Sequence, residues 1–385
     1  MLRYLVRRLV SGVIALLGFL TAMFFGVQLL IPGDFVTPFR LTMTEQEVEA
    51  LRAQLGLDQS LWIQYWKWLQ ALLSGELGGS TFGVPVRGLL LDVVPATLFV
   101  FVTGLAIAFL VGGWNGRWTA WNPGVRAEAL TFTGLAFVTA FPPFLAFVLV
   151  TVVGPRLFDL RRALVDTSER GTLWIDQPLD PGQVLTRMTI SVVVAVAVAY
   201  ATLALMARVS RLRIRPWMVA GLTLVALPAW WTWQGYRTHA FDLVFDAAIP
   251  LLAFTLLSYG EFLLIMQTSM VATMNDDYVA VARAKGLSEK AIRDHHAAPN
   301  AVLPLLSRLA VSIPFLMTGL VIIERSVAWP GLGDFLFRAI ESQDIPVVMG
   351  AVAVVGFIAL AARLLLDFVS VVVDPRLRIP ARVKS

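Results

Sequence analysis

Few residues of this 385-residue chain have the type and spacing of a catalytic or metal-binding group. It contains no cysteine and three histidines, and the adjacent His295 and His296 would point about 100° apart on a helix, away from a shared metal ion. The sequence has neither a G-x-x-x-x-G-K-[ST] phosphate-binding loop nor a G-x-S-x-G nucleophile motif. We therefore expect no catalytic, metal or cofactor site in this chain.

Two polar residues stand inside an apolar stretch, 247–270, and need a reason to be there. A charged group in hydrocarbon costs ~2.5–3.5 kcal/mol on insertion scales. Glu261 and Gln267 therefore either line a substrate path or serve the structure, Glu261 through an interhelical hydrogen bond or a pair with Arg363. Asp367 follows Arg363 by four residues on one helix face, so we expect those two to pair.

The elements that must position these residues are membrane-spanning helices. The chain is 58% hydrophobic and 15% charged, with a mean hydropathy of +0.75. Soluble domains run near ~45–50% apolar and ~25% charged, so the class is an all-α polytopic membrane protein. Eight stretches reach the ~20 apolar residues that a ~30 Å hydrocarbon core requires. They are 9–31, 93–113, 129–153, 188–207, 217–235, 247–270, 306–323 and 346–373.

The distribution of charge predicts the orientation. With the N-terminus inside, the segments 1–8, 114–127, 208–216, 271–305 and 374–385 hold 17 basic and 5 acidic residues. The opposite segments, 32–92, 154–186, 236–246 and 324–345, hold 11 basic and 18 acidic residues. The excess of Lys and Arg on one side indicates that both termini are cytoplasmic.

The first outer loop, 32–92, is long enough to contain helices of its own. Glu45 to Leu57 is a polar helix that Thr44 caps, with Glu47 placed for a capping box. The aromatic segment 61–69 favours the headgroup level of the membrane, and a peptide-stacking surface is the alternative. Small residues favour close helix packing in the spans. They are Gly12, Gly18, Gly104, Gly112 and Gly113.

The inner loop 271–305 is the longest on the cytoplasmic side. Asp276 or Asp277 can cap a helix through Tyr278–Lys285, which Gly286 ends. Ser288 can cap a second short helix through Asp294. Two short helices joined at a glycine predict a rigid elbow, whose alanines (Ala280, Ala282 and Ala284) present a flat surface to another protein. A solvated loop with incidental alanines is the alternative.

The run YVAVARAKGLSEKAI, followed by Asn300 and Leu303–Pro304, resembles the cytoplasmic coupling-loop motif of ABC importer permeases, in particular the dipeptide/oligopeptide/nickel permease family. Further matches follow in order: RRL at 7–9, PGD at 32–34, LGLDQSL at 55–61, GELGGS at 75–80, WPGLG at 329–333, DIPVV at 344–348 and DPRLR at 374–378. The resemblance implies an ATPase-coupling role for Asp277, Tyr278, Ala282, Arg283, Lys285, Gly286, Leu287, Asn300 and Pro304.

Such permeases usually have six spans, so this chain resembles a type I ABC importer core with an inserted helical hairpin. The resemblance divides it into an N-terminal helix (1–31), an outer loop with interfacial helices (32–92), two spans (93–153), the insertion (154–245) and the remaining core (246–385). The insertion adds an even number of crossings and leaves the orientation downstream unchanged.

The resemblance implies a permease subunit of a binding-protein-dependent, ATP-driven importer of di- or oligopeptides in a prokaryotic inner membrane. Its partners would be a second related permease, two ATP-binding subunits that hold ATP and Mg²⁺, an extracytoplasmic substrate-binding protein and the lipid bilayer, with no nucleic acid. Nickel chelates or oligosaccharides are alternative cargoes. A stand-alone secondary transporter or channel is the alternative class. An intramembrane enzyme is disfavoured, because the sequence contains no paired set of catalytic residues.

Overall fold

The structure is a computed structural model, and it describes residues 2–30, 36, 43–164, 174, 179–209 and 216–373. Within these ranges the regular elements are helices, and the extended pairing is one isolated bridge between Gly79 and Pro85. The expectation of an all-α polytopic membrane protein is confirmed. The motifs at 32–34 and 374–378 lie outside the described residues.

Three helices form the N-terminal part: α1 (Leu2–Leu30), α2 (Glu45–Leu55) and α3 (Leu61–Ser74). The predicted capping box is present, because the Thr44 backbone N–H donates to Glu47 Oε2 at 2.9 Å and the Glu47 N–H donates back to Thr44 Oγ1. The helix α2 ends at Leu55, two residues earlier than expected.

The aromatic helix α3 divides into two faces. Tyr65 is buried against Phe24 of α1, and its hydroxyl lies 2.8 Å from Thr21 Oγ1. Trp62 and Trp66 remain 62% and 58% exposed. Half of the segment therefore fixes α3 to α1, and the tryptophans on the other face are free to meet lipid or another molecule.

The core consists of long helices around α10. They are α4 (Val86–Trp121), α5 (Val125–Thr139), α6 (Pro142–Val152), α7 (Gly154–Leu164), α8 (Pro181–Val209), α9 (Pro216–Trp233), α10 (Arg237–Met274), α13 (Ala298–Ser326) and α15 (Ile345–Val373). The helix α10 contacts α4, α5 and α13, and its Phe254, Phe262 and Leu263 are fully buried. Apolar side chains along most of its length face other helices.

Glycines let α4 and α10 approach closely. A β-carbon at Gly116 would lie 2.4 Å from the Leu263 carbonyl oxygen. The predicted packing role is confirmed for Gly12, Gly104 and Gly112, where a β-carbon would meet a neighbouring helix below 3 Å. It is wrong for Gly18 and Gly113, since in the part of the chain that the structure describes no atom of a neighbouring helix lies within 4 Å of their β-carbon positions.

The stretch 129–153, expected as one span, is two helices. α5 and α6 are bent by 111° at Ala140–Phe141, which precede two prolines at the start of α6. Proline disfavours helical backbone in the residue before it, and Phe141 accordingly has φ −67° and ψ 117°. The described residues contain six helices long and apolar enough to span a membrane, or seven if the bent pair counts as one span. The helix α9 (Pro216–Trp233) covers most of the expected stretch 217–235 but is not one of these six, so the described residues do not show all eight expected spans.

The insertion packs onto the core through α8 and α9. Val184, Leu185 and Met188 of α8 are buried in the main hydrophobic cluster. Trp231 of α9 donates from Nε1 to Ser191 Oγ of α8 at 3.0 Å. The predicted helical pair is therefore present, while most of its arginine-rich connector lies outside the described residues.

The outer-loop motifs meet at one end of the molecule. Asp344, before α15, accepts a hydrogen bond from the Thr81 backbone N–H at 3.0 Å. Glu324 near the end of α13 is fully buried and accepts at 2.6 Å from the N–H of Gly333, which lies in the first turn of α14 (Leu332–Glu341). Trp329 donates from Nε1 to the Ala96 carbonyl oxygen at 3.3 Å, which anchors the WPGLG segment on α4.

Candidate functional site

The predicted elbow is formed by two helical pieces joined at Gly286. The first is α11 (Asp277–Ala284), which begins after Asp276 in extended backbone. The predicted aspartate cap is wrong, because the Asp276 side chain makes no capping hydrogen bond and Asp277 lies inside the helix. Gly286 has φ +75°, a left-handed conformation that costs other residues energy. Ser288 then accepts a hydrogen bond on Oγ from the Ala291 N–H at 3.3 Å and begins α12 (Glu289–Ala291). The predicted glycine stop and serine cap are confirmed.

The second piece does not end at Asp294 as expected. After α12 the chain continues through a π-helical turn, Ile292–Ala297, directly into α13. Pro299 lies at the start of α13, where its missing N–H is tolerated. The elbow is therefore joined to a core helix without a loop, so a displacement of the elbow is transmitted directly to α13.

The expectation that Ala282 belongs to an exposed flat surface is wrong. Val279 and Ala282 are 0% and 5% exposed, and they pack with Ile292 beneath Trp121 of α4. The two positions are three residues apart and thus share one helix face, which the elbow turns toward its own second half. Ala280 and Ala284, on the other sides of α11, are exposed as expected.

The outward surface of the elbow is exposed and mixes apolar side chains with a tyrosine and a lysine. We define the elbow face as Tyr278, Val281, Lys285, Gly286 and Leu287, all of them exposed. Val281 is 52% exposed and Leu287 is 41% exposed. Among the described residues, no atom outside the local backbone lies within 4 Å of the position of a β-carbon on Gly286. Another molecule can therefore approach the backbone there.

Trp121 and Glu289 connect the elbow to α4. Glu289 accepts from Arg283 Nε at 2.8 Å and from Trp121 Nε1 at 2.9 Å. The Arg283 guanidinium also lies over the Trp121 ring at 5.7 Å, and its hydrogen bond to Glu289 raises the pKa of Arg283. One carboxylate thus fixes both halves of the elbow to the end of α4.

Further polar contacts tie the elbow to α4 and α13. Asp294 lies 2.8 Å from Arg293 and 3.7 Å from Arg117 of α4. Asn300 of α13 donates from Nδ2 to the Tyr278 hydroxyl at 3.0 Å. Pro304 follows within α13, where it is exposed.

Sequence reasoning assigned neither Trp121 nor Arg117 to this site. Both lie on α4, more than 150 residues before their partners Glu289 and Asp294. The cytoplasmic location expected for 114–127 placed that segment on the elbow's side of the membrane, and no spacing rule indicated which of its residues would meet the elbow.

The two polar residues of α10 bond to neighbouring helices. Glu261 Oε1 accepts from Ser312 Oγ of α13 at 2.6 Å, which confirms the interhelical hydrogen bond. Gln267 donates from Nε2 to Thr131 Oγ1 of α5 at 3.0 Å. Their role in a substrate path stays a prediction. The expected Arg363–Asp367 pair is wrong, because Asp367 lies 3.9 Å from Arg8 of α1 instead.

Comparison with known families gives two matches that together cover most of the chain. Residues 112–379 match the family described as the binding-protein-dependent transport system inner membrane component, and residues 1–86 match the N-terminal model of the same group. The chain belongs to this family. It is therefore an inner-membrane component of a binding-protein-dependent ABC transport system, and the resemblance drawn from the elbow motif is confirmed.

Individual relatives of this permease match over nearly their whole length. A Brucella ovis protein that carries the name of a peptide permease is 31% identical, with 98% of this chain and 100% of the relative aligned. The dipeptide transport system permease protein DppB of Escherichia coli K12 is 26% identical, over 98% of this chain and 99% of the relative. The oligopeptide transport system permease protein AppB of Bacillus subtilis is 23% identical over the same shares.

Proposed function

We propose that this permease imports di- or oligopeptides as one of two related transmembrane subunits, driven by two ATP-binding subunits, one of which docks on its elbow face. The names of the relatives support the cargo class, since they describe dipeptide and oligopeptide systems. The single observation that carries the coupling role is the elbow itself. Its outer face is exposed, and its inner side is bonded to α4 and continuous with α13.

In this mechanism ATP and Mg²⁺ bind to the partner subunits, and an extracytoplasmic binding protein delivers the peptide. Closure of the ATPases moves the elbow as a rigid body, because Glu289, Arg283 and Trp121 hold its parts together. α13 follows directly, and α4 follows through Trp121. Since α4 and α13 both pack on α10, the motion reaches the helix that carries Glu261 and Gln267.

The proposal places both termini and the elbow in the cytoplasm of a prokaryotic cell, as the charge distribution predicts. Protease or cysteine-labelling access from each side of sealed vesicles tests that orientation. The elbow should be reached only from the side on which ATP acts.

The test of the function is reconstitution. The permease pair, the two ATPases and the binding protein are placed in proteoliposomes, and uptake of a labelled dipeptide is measured with and without ATP. We expect uptake that requires ATP and all the subunits. Uptake by this chain alone, with no ATPase present, would instead establish a stand-alone transporter.

A further inference from the structure

A buried carboxyl group fixes the segment that follows α13, which we call the outer segment (residues 327–344). Glu324, in the last turn of α13, is fully buried, and its Oε2 accepts from the Gly333 N–H at 2.6 Å. Its backbone carbonyl oxygen accepts from the Trp329 N–H at 2.9 Å. The side chain and the backbone of Glu324 therefore both bind the outer segment.

Glycines leave the space that this carboxyl group occupies. A β-carbon on Gly331 would lie 2.5 Å from Glu324 Oε1, and one on Gly333 would lie 2.4 Å from the Val321 carbonyl oxygen. The outer segment thus lies directly against the last turns of α13, with no room for larger side chains between them. A movement of α13 can leave the segment behind only by breaking the buried hydrogen bond.

The outer segment is bonded to α4 as well. Leu332 donates its N–H to Thr97 Oγ1 of α4 at 2.7 Å, and both residues are fully buried. We define the outer clamp as Glu324, Gly333, Leu332 and Thr97. It joins α13 to α4 at the end of α13 far from the elbow, whereas Trp121 joins α4 to the elbow itself.

Packing alone does not account for a carboxyl group at this position. Among the described residues no basic side chain pairs with Glu324, and the nearby Arg325 and Arg338 bind Asp334 instead. Burying a carboxyl group without a cation costs free energy that an apolar side chain of similar size would not cost. An apolar side chain could not accept the hydrogen bond from the Gly333 backbone, so this bond is what Glu324 contributes.

We infer that the outer clamp makes the outer segment follow the elbow, so that closure of the ATPases changes the extracytoplasmic end of the permease. α13 runs about 39 Å from Ala298, beside the elbow, to Glu324. Because α4 and α13 are bonded at both ends, they turn as one body instead of sliding past each other. Glu324 acts as a positioning residue, through the Gly333 backbone. This inference rests on the proposed function and names the residue that carries the coupling across the membrane.

The experiment measures the two ends of α13 separately. Ile340 in the outer segment is 42% exposed and Val281 on the elbow face is 52% exposed, so one cysteine at either position reports its own end of the cysteine-free chain. The maleimide reaction rate of Ile340→Cys is measured in the assembled complex with and without a non-hydrolysable ATP analogue. We expect the analogue to change this rate, because the outer segment moves with α13.

Three substitutions test the carboxyl group. Glu324→Leu removes the acceptor for the Gly333 N–H, so it should abolish the change at Ile340→Cys and lower uptake about tenfold or more, the factor for a lost buried hydrogen bond. Val281→Cys should stay protected by the ATPase in this variant. Glu324→Gln keeps an acceptor oxygen and should retain both the change and the uptake. Glu341→Gln removes an exposed carboxylate of the same segment and should alter neither.

Thr97→Val tests the clamp from α4 and nearly preserves the side-chain shape. It should reduce the nucleotide-dependent change at Ile340→Cys, with the melting temperature as the check on folding. A normal change in Glu324→Leu, or in Thr97→Val where Glu324→Leu fails to assemble, would overturn the clamp. Loss of the change in Glu324→Gln would also overturn it, because the charge and not the hydrogen bond would then be required.

The result also separates the clamp from the function on which it rests. Normal ATP-dependent dipeptide uptake with an unchanged reaction rate at Ile340→Cys would contradict the clamp alone. Absence of uptake in the unsubstituted complex would contradict the proposed peptide import.

Discussion

Gly286 can serve the elbow in two ways: it adopts a left-handed backbone conformation, and its lack of a side chain lets the ATPase approach closely. Two substitutions at this position distinguish these two roles. Its φ of +75° costs a residue such as alanine roughly 1–2 kcal/mol, whereas asparagine adopts this conformation more readily. Within the chain a side chain meets open space, so neither Gly286→Ala nor Gly286→Asn creates an internal clash. If only conformation mattered, asparagine would be the milder change.

We predict the opposite order for coupling. The larger asparagine side chain stands between the elbow face and the ATPase, so Gly286→Asn reduces ATP-driven uptake more than Gly286→Ala does. If the whole conformational cost of alanine destabilises the state docked on the ATPase, Gly286→Ala reduces uptake by at most about 5–30-fold. Uptake and ATP hydrolysis are measured on the same proteoliposomes, with the melting temperature of each variant as the check on folding.

Gly75 provides the matched control. It has φ +77° and equally open surroundings, but it follows α3 in the outer loop, away from the elbow. There asparagine should be the better substitute, because conformation is the only constraint. Near-normal uptake for Gly286→Asn together with impaired uptake for Gly286→Ala would refute a close contact between Gly286 and the ATPase. The glycine would then be needed only for the backbone conformation of the turn.

Three further predictions follow from the described contacts. Glu289→Gln removes the negative charge that binds Arg283. In a double-mutant cycle with Trp121→Phe, calculated from rates of ATP-driven uptake, we expect a coupling energy of about 1 kcal/mol between Glu289 and Trp121. A coupling energy of zero would contradict the link between the elbow and α4. Gly116→Ala should reduce the free energy of unfolding by about 1–3 kcal/mol and so lower the melting temperature, because its β-carbon would clash with α10. Gly113→Ala on the same helix should leave the melting temperature unchanged. Equal shifts for the two variants would contradict the close approach of α4 and α10 at Gly116. The hydrogen bonds from Thr44 lower the pKa of Glu47, so the contribution of its carboxylate to α2 is present above the ordinary pKa of 4.5 and is lost as the pH falls through the lowered value of the folded state. The protection factors of the α2 amides, which correct for the slower intrinsic exchange at low pH, should therefore fall on acidification, and Glu47→Gln should remove this pH dependence.

Local chemistry explains what the sequence predicted well. The Thr44 capping box, the Gly286 stop and the Ser288 cap each depend on residues within three or four positions of one another. The long helices follow from apolar stretches of the required length. These signals need no knowledge of distant contacts, and the structure contains each of them.

The misses have different causes. The two successive prolines at 142 and 143 disfavour a continuous span and could have predicted the break before Pro142. Hydropathy alone does not detect this break, because the stretch 129–153 is apolar throughout. The inward face of Ala282 depended on Trp121, which comes from a helix far away in sequence. The Arg8–Asp367 pair likewise joins the two ends of the chain, so the nearby Arg363 was the wrong partner.

The most direct test of the account is whether the elbow face is covered by the ATPase. The chain contains no native cysteine, so Val281→Cys reports that face alone, while Phe82→Cys in the outer loop, 78% exposed, serves as the reference. Maleimide labelling is compared between the permease alone and the complete complex. We predict that Val281→Cys reacts freely in the permease and is protected in the complex, with Phe82→Cys labelled in both. Undiminished labelling of Val281→Cys in an actively transporting complex would contradict the coupling role of the elbow.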